Sequence, residues 1–134
     1  MTDAAPRLEI HPIHLDSRGG ATSEPPFTGA MQWYADYGAR HAADGAAGRL
    51  VSEYRFTESW TSWECHPVGA EIVYCLAGEL VLHQMSASGE IATIALQPGQ
   101  YAINPPGVWH TADVAGEARA LFITAGEGTQ HRPR

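Results

Sequence analysis

Glu64 and His66 stand two residues apart, so on an extended strand their side chains project from one face, and Glu71 returns after a Pro67-Val68-Gly69-Ala70 turn. A fourth residue of the same chemical kind, His110, closes a second punctuated stretch that begins at Gly99. Two imidazoles and two carboxylates brought together make an N2O2 donor set. Such a set is too rich in oxygen for a thiolate-type structural zinc site and too rich in nitrogen for calcium. It suits a divalent transition metal (Zn, Fe, Mn, Ni or Co) with one or two positions left for water or substrate. His66, His110 and one carboxylate also have the composition of the facial triad of non-haem iron oxygenases. The competing reading is a metal-free network, in which cationic histidines balance two buried glutamates and a polar ligand is bound. Burying four ionisable groups without a compensating centre is costly, which favours the metal.

For these residues to meet, distant segments must be brought together by the fold. From Arg49 to Thr124 apolar stretches are divided by turn residues at 67–69, 77–78, 88–89, 98–99, 105–107 and 115–116. The spacing predicts strands over 49–56, 61–66, 71–76, 80–85, 91–96, 100–104, 110–114 and 119–124. Eight short strands with no helical period between them predict an all-β antiparallel sandwich or barrel. Ahead of them, Leu8–Leu15 alternates as a strand that Pro12 confines to a sheet edge, and residues 16–26 read as a loop. From Thr28 to Ala43, Met31 and Tyr34 are three apart and Trp33 and Tyr37 four apart, one face of a helix capped by Thr28 and stopped at Asp44-Gly45. Residues 1–7 read as a disordered start. One domain is expected, comprising an N-terminal extension over 1–48, a barrel core over 49–126 and a tail over 127–134.

Composition narrows the function classes. The net charge is −7, and the eight cationic residues are all arginine. Only His131-Arg132-Pro133-Arg134 is a basic cluster, read as a solvated tail, so a nucleic-acid surface is not expected. The longest apolar run, Ile72 to Gly78, is far too short for a membrane span. Cys65 and Cys75 have opposite strand parity and are expected as free thiols on different faces. With no secretory hydrophobic region at the N-terminus, a cytoplasmic location is expected. No Gly-x-Ser-x-Gly elbow or phosphate-cradling loop is present.

The stretches around the four residues resemble the two signature motifs of the cupin superfamily, G-x5-H-x-H-x3,4-E-x6-G and G-x5-P-x-G-x2-H-x3-N. The first reads here as Glu64-x-His66-x4-Glu71-x6-Gly78 and the second as Gly99-x5-Pro105-x-Gly107-x2-His110. The resemblance covers roughly residues 50–125. Departures fall at Glu58 in place of the leading Gly, Glu64 in place of the first His, and Val114 in place of the final Asn. The resemblance implies a double-stranded β-helix, a jelly-roll-like antiparallel barrel, here with a short N-terminal helix. It also implies a divalent metal on Glu64, His66, Glu71 and His110 and a small organic ligand beside it. Metal-dependent dioxygenation or isomerisation is one expectation, and a non-catalytic module that binds or senses a small molecule or metal is the alternative. Pairing into a homodimer through the Leu8–Leu15 edge is a further expectation.

Several other side chains flank these motifs. Cys75 has inward parity and reads as core filling, with a pocket thiol as the alternative. His83 reads as a surface histidine, or else as an acid or base near the metal. Trp63 and Trp109 face away from the ligand set by parity, while Tyr101 and Phe122 are candidate pocket walls.

Overall fold

The computed structural model describes residues 4–134. Two antiparallel sheets face one another. One has the strand order β2-β1-β3-β10-β5-β8, and the other β11-β4-β9-β6-β7. The strands are β1 (Ile13–Leu15), β2 (Ala21–Ser23), β3 (Arg49–Phe56), β4 (Ser62–Cys65), β5 (Glu71–Gly78) and β6 (Leu80–Met85). They are followed by β7 (Ile91–Leu96), β8 (Tyr101–Asn104), β9 (Trp109–Asp113), β10 (Ala118–Thr124) and β11 (Gln130–Pro133). One α-helix, α1 (Met31–Arg40), and a short 3-10 helix (Ala42–Ala47) lie between β2 and β3. All eight strands expected between 49 and 124 form, with ends displaced by no more than two residues.

Period-two burial is what closes the sandwich. Along β10, Ala118, Ala120 and Phe122 are buried while Arg119, Leu121 and Ile123 are less so, and β5 buries Glu71, Val73 and Cys75 on alternate positions. Those inner faces join Leu80, Leu82, Leu96, Ala102, Ala112 and Val114 in one core. Fully burying side chains of the size of Val73, Leu80 and Leu82 contributes about 1.5–3 kcal/mol each. Cys65 and Cys75 are both buried free thiols. Gly78 turns β5 into β6 with φ 71°, and a Cβ there would collide with the carbonyl oxygen of Glu117, so the turn requires glycine.

The N-terminal extension departs from the expected course. Strand pairing in the 8–15 segment is confined to Ile13–Leu15, and β1 is not an edge: His14 pairs with Thr22 on one side and Leu50 on the other. The edge is β2, inside the expected loop. A tight turn makes this possible, because Asp16 Oδ1 accepts from the backbone N–H groups of Arg18 and Gly20 at 2.9 and 2.7 Å and folds the chain back on itself. Of the expected unstructured start, residues 1–3 lie outside the described residues, and 4–7 are exposed and in no regular element. Helix α1 begins at Met31 with Ala30 as its cap residue, while Thr28, two residues before that cap, accepts from Ala30 N–H at 3.2 Å through its hydroxyl and does not cap the helix itself. Buried polar side chains fasten the helical segment to β1. His14 bonds Tyr37 Oη at 2.6 Å and Asp44 at 2.7 Å, and His41 and Arg40 both bond the buried Glu24.

Candidate metal centre

Two cross-strand rows, one from each sheet, build the site. In the first sheet Glu71 is registered opposite Thr124 on β10 and opposite Asn104 on β8. In the second, Glu64 is registered opposite His131 on β11 and His110 on β9, and His110 opposite Gln84 on β6. Directly opposed residues of an antiparallel pair share a face, so each row points inward as a unit. His66 follows β4 and is held there by its carbonyl, which accepts from Gly107 N–H at 3.0 Å. Gln84 Nε2 donates to Asn104 Oδ1 at 2.8 Å and ties the two rows together.

The rows bring the donor atoms of Glu64, His66, Glu71 and His110 within 4.8 Å of one another. Glu71, His66 and His110 are buried, and the Glu64 side chain is 24% exposed. His66 Nε2 lies 2.8 Å from Glu64 Oε1 and 3.1 Å from Glu71 Oε2. His110 Nε2 lies 3.2 Å from Glu71 Oε1 and 3.6 Å from Glu64 Oε1. Despite these distances, neither Nε2 makes a hydrogen bond of acceptable angle. Both rings aim between the carboxylates.

Their other nitrogens explain why. His110 Nδ1 lies 3.3 Å from the Val108 carbonyl, which only accepts, so Nδ1 carries the proton. His66 Nδ1 lies 2.8 Å from Thr129 Oγ1, whose own proton goes to the Gly126 carbonyl at 2.8 Å, so here too Nδ1–H donates. Each neutral imidazole then presents its Nε2 lone pair to the cluster, the form a metal takes up. On Glu71, Asn104 Nδ2 donates to Oε1 at 3.1 Å and the Thr124 hydroxyl to Oε2 at 2.6 Å, a pattern that suits an ionised carboxylate. Two buried Nε2 atoms, each within ion-pair distance of both carboxylates but aligned in a hydrogen bond with neither, and two oriented carboxylates fit a divalent transition metal on chemical grounds.

Without a metal, the same groups perturb one another strongly. Burial alone would raise the carboxyl pKa of Glu64 and Glu71, but contacts with His110 and His66 outweigh it and hold both below the usual carboxylate range. Burial alone would lower the imidazole pKa values, but the contacts with Glu64 and Glu71 push His66 and His110 up to about 9. At neutral pH the metal-free cluster is therefore two imidazoliums against two carboxylates.

A wall of aromatic rings runs inward from the cluster. Trp60 packs edge-on to His110 at 6.0 Å, Phe122 lies 6.2 Å from Trp60, and Tyr54 lies 5.5 Å from Phe122. Tyr34 from α1 reaches in to bond the Tyr54 hydroxyl, so this part of the helical stripe does contact the barrel interior. Burial pushes the Tyr54 hydroxyl far above its ordinary pKa, so it stays a neutral donor. The Trp60 indole N–H is buried without an acceptor.

Other expected site residues fall elsewhere. Phe122 is an inner wall residue, but Tyr101 is 65% exposed on the outer face of its sheet, because Ala102 and Asn104 take the inward parity of β8. His83 sits outside the barrel with Asp113 and Thr93 at 2.7 and 3.0 Å. Trp109 also faces outward, under the Arg132 guanidinium at 4.4 Å. Cys75 fills the core, its thiol toward the carbonyls of Ala77 and Gly78. Asn104, Thr124, Thr129 and His131 escaped the sequence reading. A second trio, His14, His41 and Asp44, also converges. Its two rings stack flat at 3.6 Å and both His14 nitrogens are hydrogen-bonded, which suits a structural network rather than a ligand set.

No curated protein matches this chain in sequence. Among solved structures it is similar to oxalate oxidase, with 18% identity and a TM-score of 0.54 over 60% of this chain and 44% of that one. It is similar to the oxalate decarboxylase of Bacillus subtilis with its Mn(II) centres, at 13% identity and a TM-score of 0.55 over 72% of this chain and 26% of that one. It is also similar to peruvianin-I, a cysteine peptidase from Thevetia peruviana latex, at 21% identity and a TM-score of 0.54 over 63% of this chain and 56% of that one. The chain spans less than half the length of the first two. At these identities the likeness is one of fold, and the fold is shared by proteins of different activities. The cupin domain family matches residues 55–126, the stretch that holds all four clustered side chains and every strand from β4 to β10, and the chain accordingly belongs to the cupin family.

Proposed function

We propose that this cupin is a metal-dependent enzyme for a small oxygen-bearing organic substrate, of the dioxygenase or isomerase kind, with Glu64, His66, Glu71 and His110 as the metal ligands. The observation that carries the reading is the pair of buried Nε2 atoms, each within ion-pair distance of two carboxylates and aligned in a hydrogen bond with neither. Held there, a divalent metal would supply Lewis acidity toward a chelating oxygen or, as Fe(II) or Mn(II), a site for dioxygen. Glu71, fixed at both oxygens, serves as a permanent anion. Glu64 is more exposed than Glu71, and its outer oxygen is held only by His131 at 3.0 Å, so of the two carboxylates it is the one placed to accept a substrate proton. The unpartnered Trp60 N–H and the Tyr34–Tyr54 hydroxyl pair offer donors to substrate oxygens against an aromatic wall. The test is metal analysis of untagged protein, followed by oxygen uptake with Fe(II) across small hydroxy acids, phenols and enediols. Metal content near one per chain with turnover is expected. Ligand-induced thermal shifts without turnover would replace the enzyme with a binding module, and metal-free protein that takes up none would remove the reading.

We further infer a homodimer, formed not through β1 but through the outer face of the larger sheet. There Ile103, Ile72, Ile123, Val51 and Ile13 stand in register across five strands. Tyr101, Tyr74 and Leu121 form a second row beside them. Tyr101 and Ile103 are 65% and 51% exposed. Arg119–Glu53 and Arg55–Glu117 ion pairs border the face with both signs of charge, as an isologous contact between copies requires. Five strands at about 4.8 Å spacing make it roughly 24 Å wide. Sedimentation should give a dimer for the wild type and a monomer for Ile72→Glu. A monomeric wild type at tens of micromolar would exclude this contact. Its two buried thiols suit a reducing compartment such as the cytoplasm, and no helix among the described residues is long and apolar enough to cross a membrane.

A further inference from the structure

Residues 127–134 lie beyond the stretch matched by the cupin family, yet they reach the cluster. Strand β11 is an edge strand, exposed at all four positions and paired only with β4. Its two faces are used differently. Outward, Arg132 lies over Trp109 at 4.4 Å, and Arg134 donates to the carbonyls of Trp60 and Ala112 at 3.1 and 3.2 Å and pairs with Asp113. Inward, Thr129 and His131 meet the cluster, each at the atom turned away from its centre. Thr129 Oγ1 accepts from His66 Nδ1–H, and His131 Nε2 lies 3.0 Å from Glu64 Oε2.

We propose that this C-terminal segment is a clamp that sets the metal centre, with Thr129 and His131 as positioning residues that do not themselves touch the metal. The proposal rests on the metal reading given above. Thr129 has a single hydroxyl proton, and the Gly126 carbonyl takes it. The oxygen can then only accept, which forces the proton of neutral His66 onto Nδ1 and frees Nε2. His131 performs the matching task for Glu64. By engaging Oε2 it leaves Oε1, the oxygen 2.8 Å from His66 Nε2, facing the cluster. The arginines on the other face keep the strand in register so that both inward contacts persist. Glu64 stands where the family motif has a histidine, and a carboxylate has a rotational freedom about its last bond that a ring does not. An added cross-strand histidine restrains that freedom.

The test uses the full chain loaded with Co(II), whose visible absorption reports ligand geometry, with affinity measured by chelator competition. Thr129→Val and His131→Ala should each weaken Co(II) binding by roughly 10–100-fold, the range for lost outer partners of ligands, and should change the Co(II) spectrum. Thr129→Ser and His131→Gln keep a hydroxyl acceptor and an N–H donor and should restore both affinity and spectrum. Thr129 and His131 lie in a turn and an exposed edge strand, so the variants are expected to fold, and thermal melts verify this. Wild-type affinity and spectrum in Thr129→Val and His131→Ala would overturn the clamp alone. Equal loss in the conservative pair would overturn it as well, since the hydrogen bonds would then not be the cause. A wild type that binds no Co(II) would overturn the metal reading and the clamp with it.

Discussion

His110→Ala is expected to lose metal binding and to destabilise the metal-free protein. His110 is fully buried, opposite Glu64 in register, with Nε2 3.2 Å from Glu71 Oε1. As a ligand it should be worth more than the roughly 10–100-fold in affinity that an outer partner of a ligand contributes. Metal content after purification should fall from near one per chain to background. In the metal-free state the loss has a second consequence. The cluster at neutral pH balances two imidazoliums against two carboxylates, and removing one cation leaves a buried carboxylate without its partner. Breaking a buried ion pair from one side destabilises by about 3–5 kcal/mol. Glu71→Gln in the His110→Ala background removes the orphaned charge and should recover part of that loss, because Thr124 and Asn104 can still bond the amide. Chemical denaturation of the two variants beside the wild type measures both effects. Undiminished metal content in His110→Ala would remove His110 from the ligand set, and unchanged metal-free stability would contradict the charge balance.

The residues of this centre were not equally legible in the sequence. Glu64, His66, Glu71 and His110 could be picked out because local spacing carries them: strand parity for the first pair, a Pro-Val-Gly turn before Glu71, and a Gly-Pro-Gly frame before His110. Thr124, Asn104 and His131 could not, since their place beside Glu71 and Glu64 depends on register between strands distant in sequence. Such register is set by the packing of the whole sheet, and no local pattern encodes it. The outward position of Tyr101 was available in principle, as it has the parity opposite to Asn104 on one short strand. The course of the N-terminal extension was not. Pro12 suggested an edge, but a buried Pro12 beside β1 is accommodated because β2 folds over from a turn whose stability comes from Asp16 bonding the backbone two and four residues on. The basic tail read as solvated because its side chains are indeed exposed, while its backbone pairing with β4 leaves no mark in composition.

Metal affinity is expected to rise steeply with pH up to about 9. In the metal-free protein His66 and His110 hold their protons up to about that pH, because burial, which would lower their pKa, is outweighed by contact with Glu64 and Glu71. A metal takes only the neutral ring, so binding at pH 7 must expel two protons. Apparent affinity should then increase by about 100-fold per pH unit between 6 and 8, flattening near 9. Calorimetry of Mn(II) binding in buffers of different protonation enthalpy should count about two protons released per metal. Stability of the metal-free protein should move the other way. The imidazoles, raised from 6.5, contribute stability that is complete below 6.5 and lost as pH climbs through about 9. The carboxylates, lowered from 4.5, contribute stability that is complete above 4.5 and lost as pH falls through their depressed values. The cluster therefore stabilises the metal-free fold most between about 4.5 and 6.5, and thermal melts should fall from pH 6.5 to 9.5 as two buried carboxylates lose their cations. Saturating metal should abolish that fall, since the ion replaces the protons as the positive charge. Affinity independent of pH, with no proton release, would mean that the imidazoles are already neutral and that the metal-free cluster is not the ion-paired quartet described above.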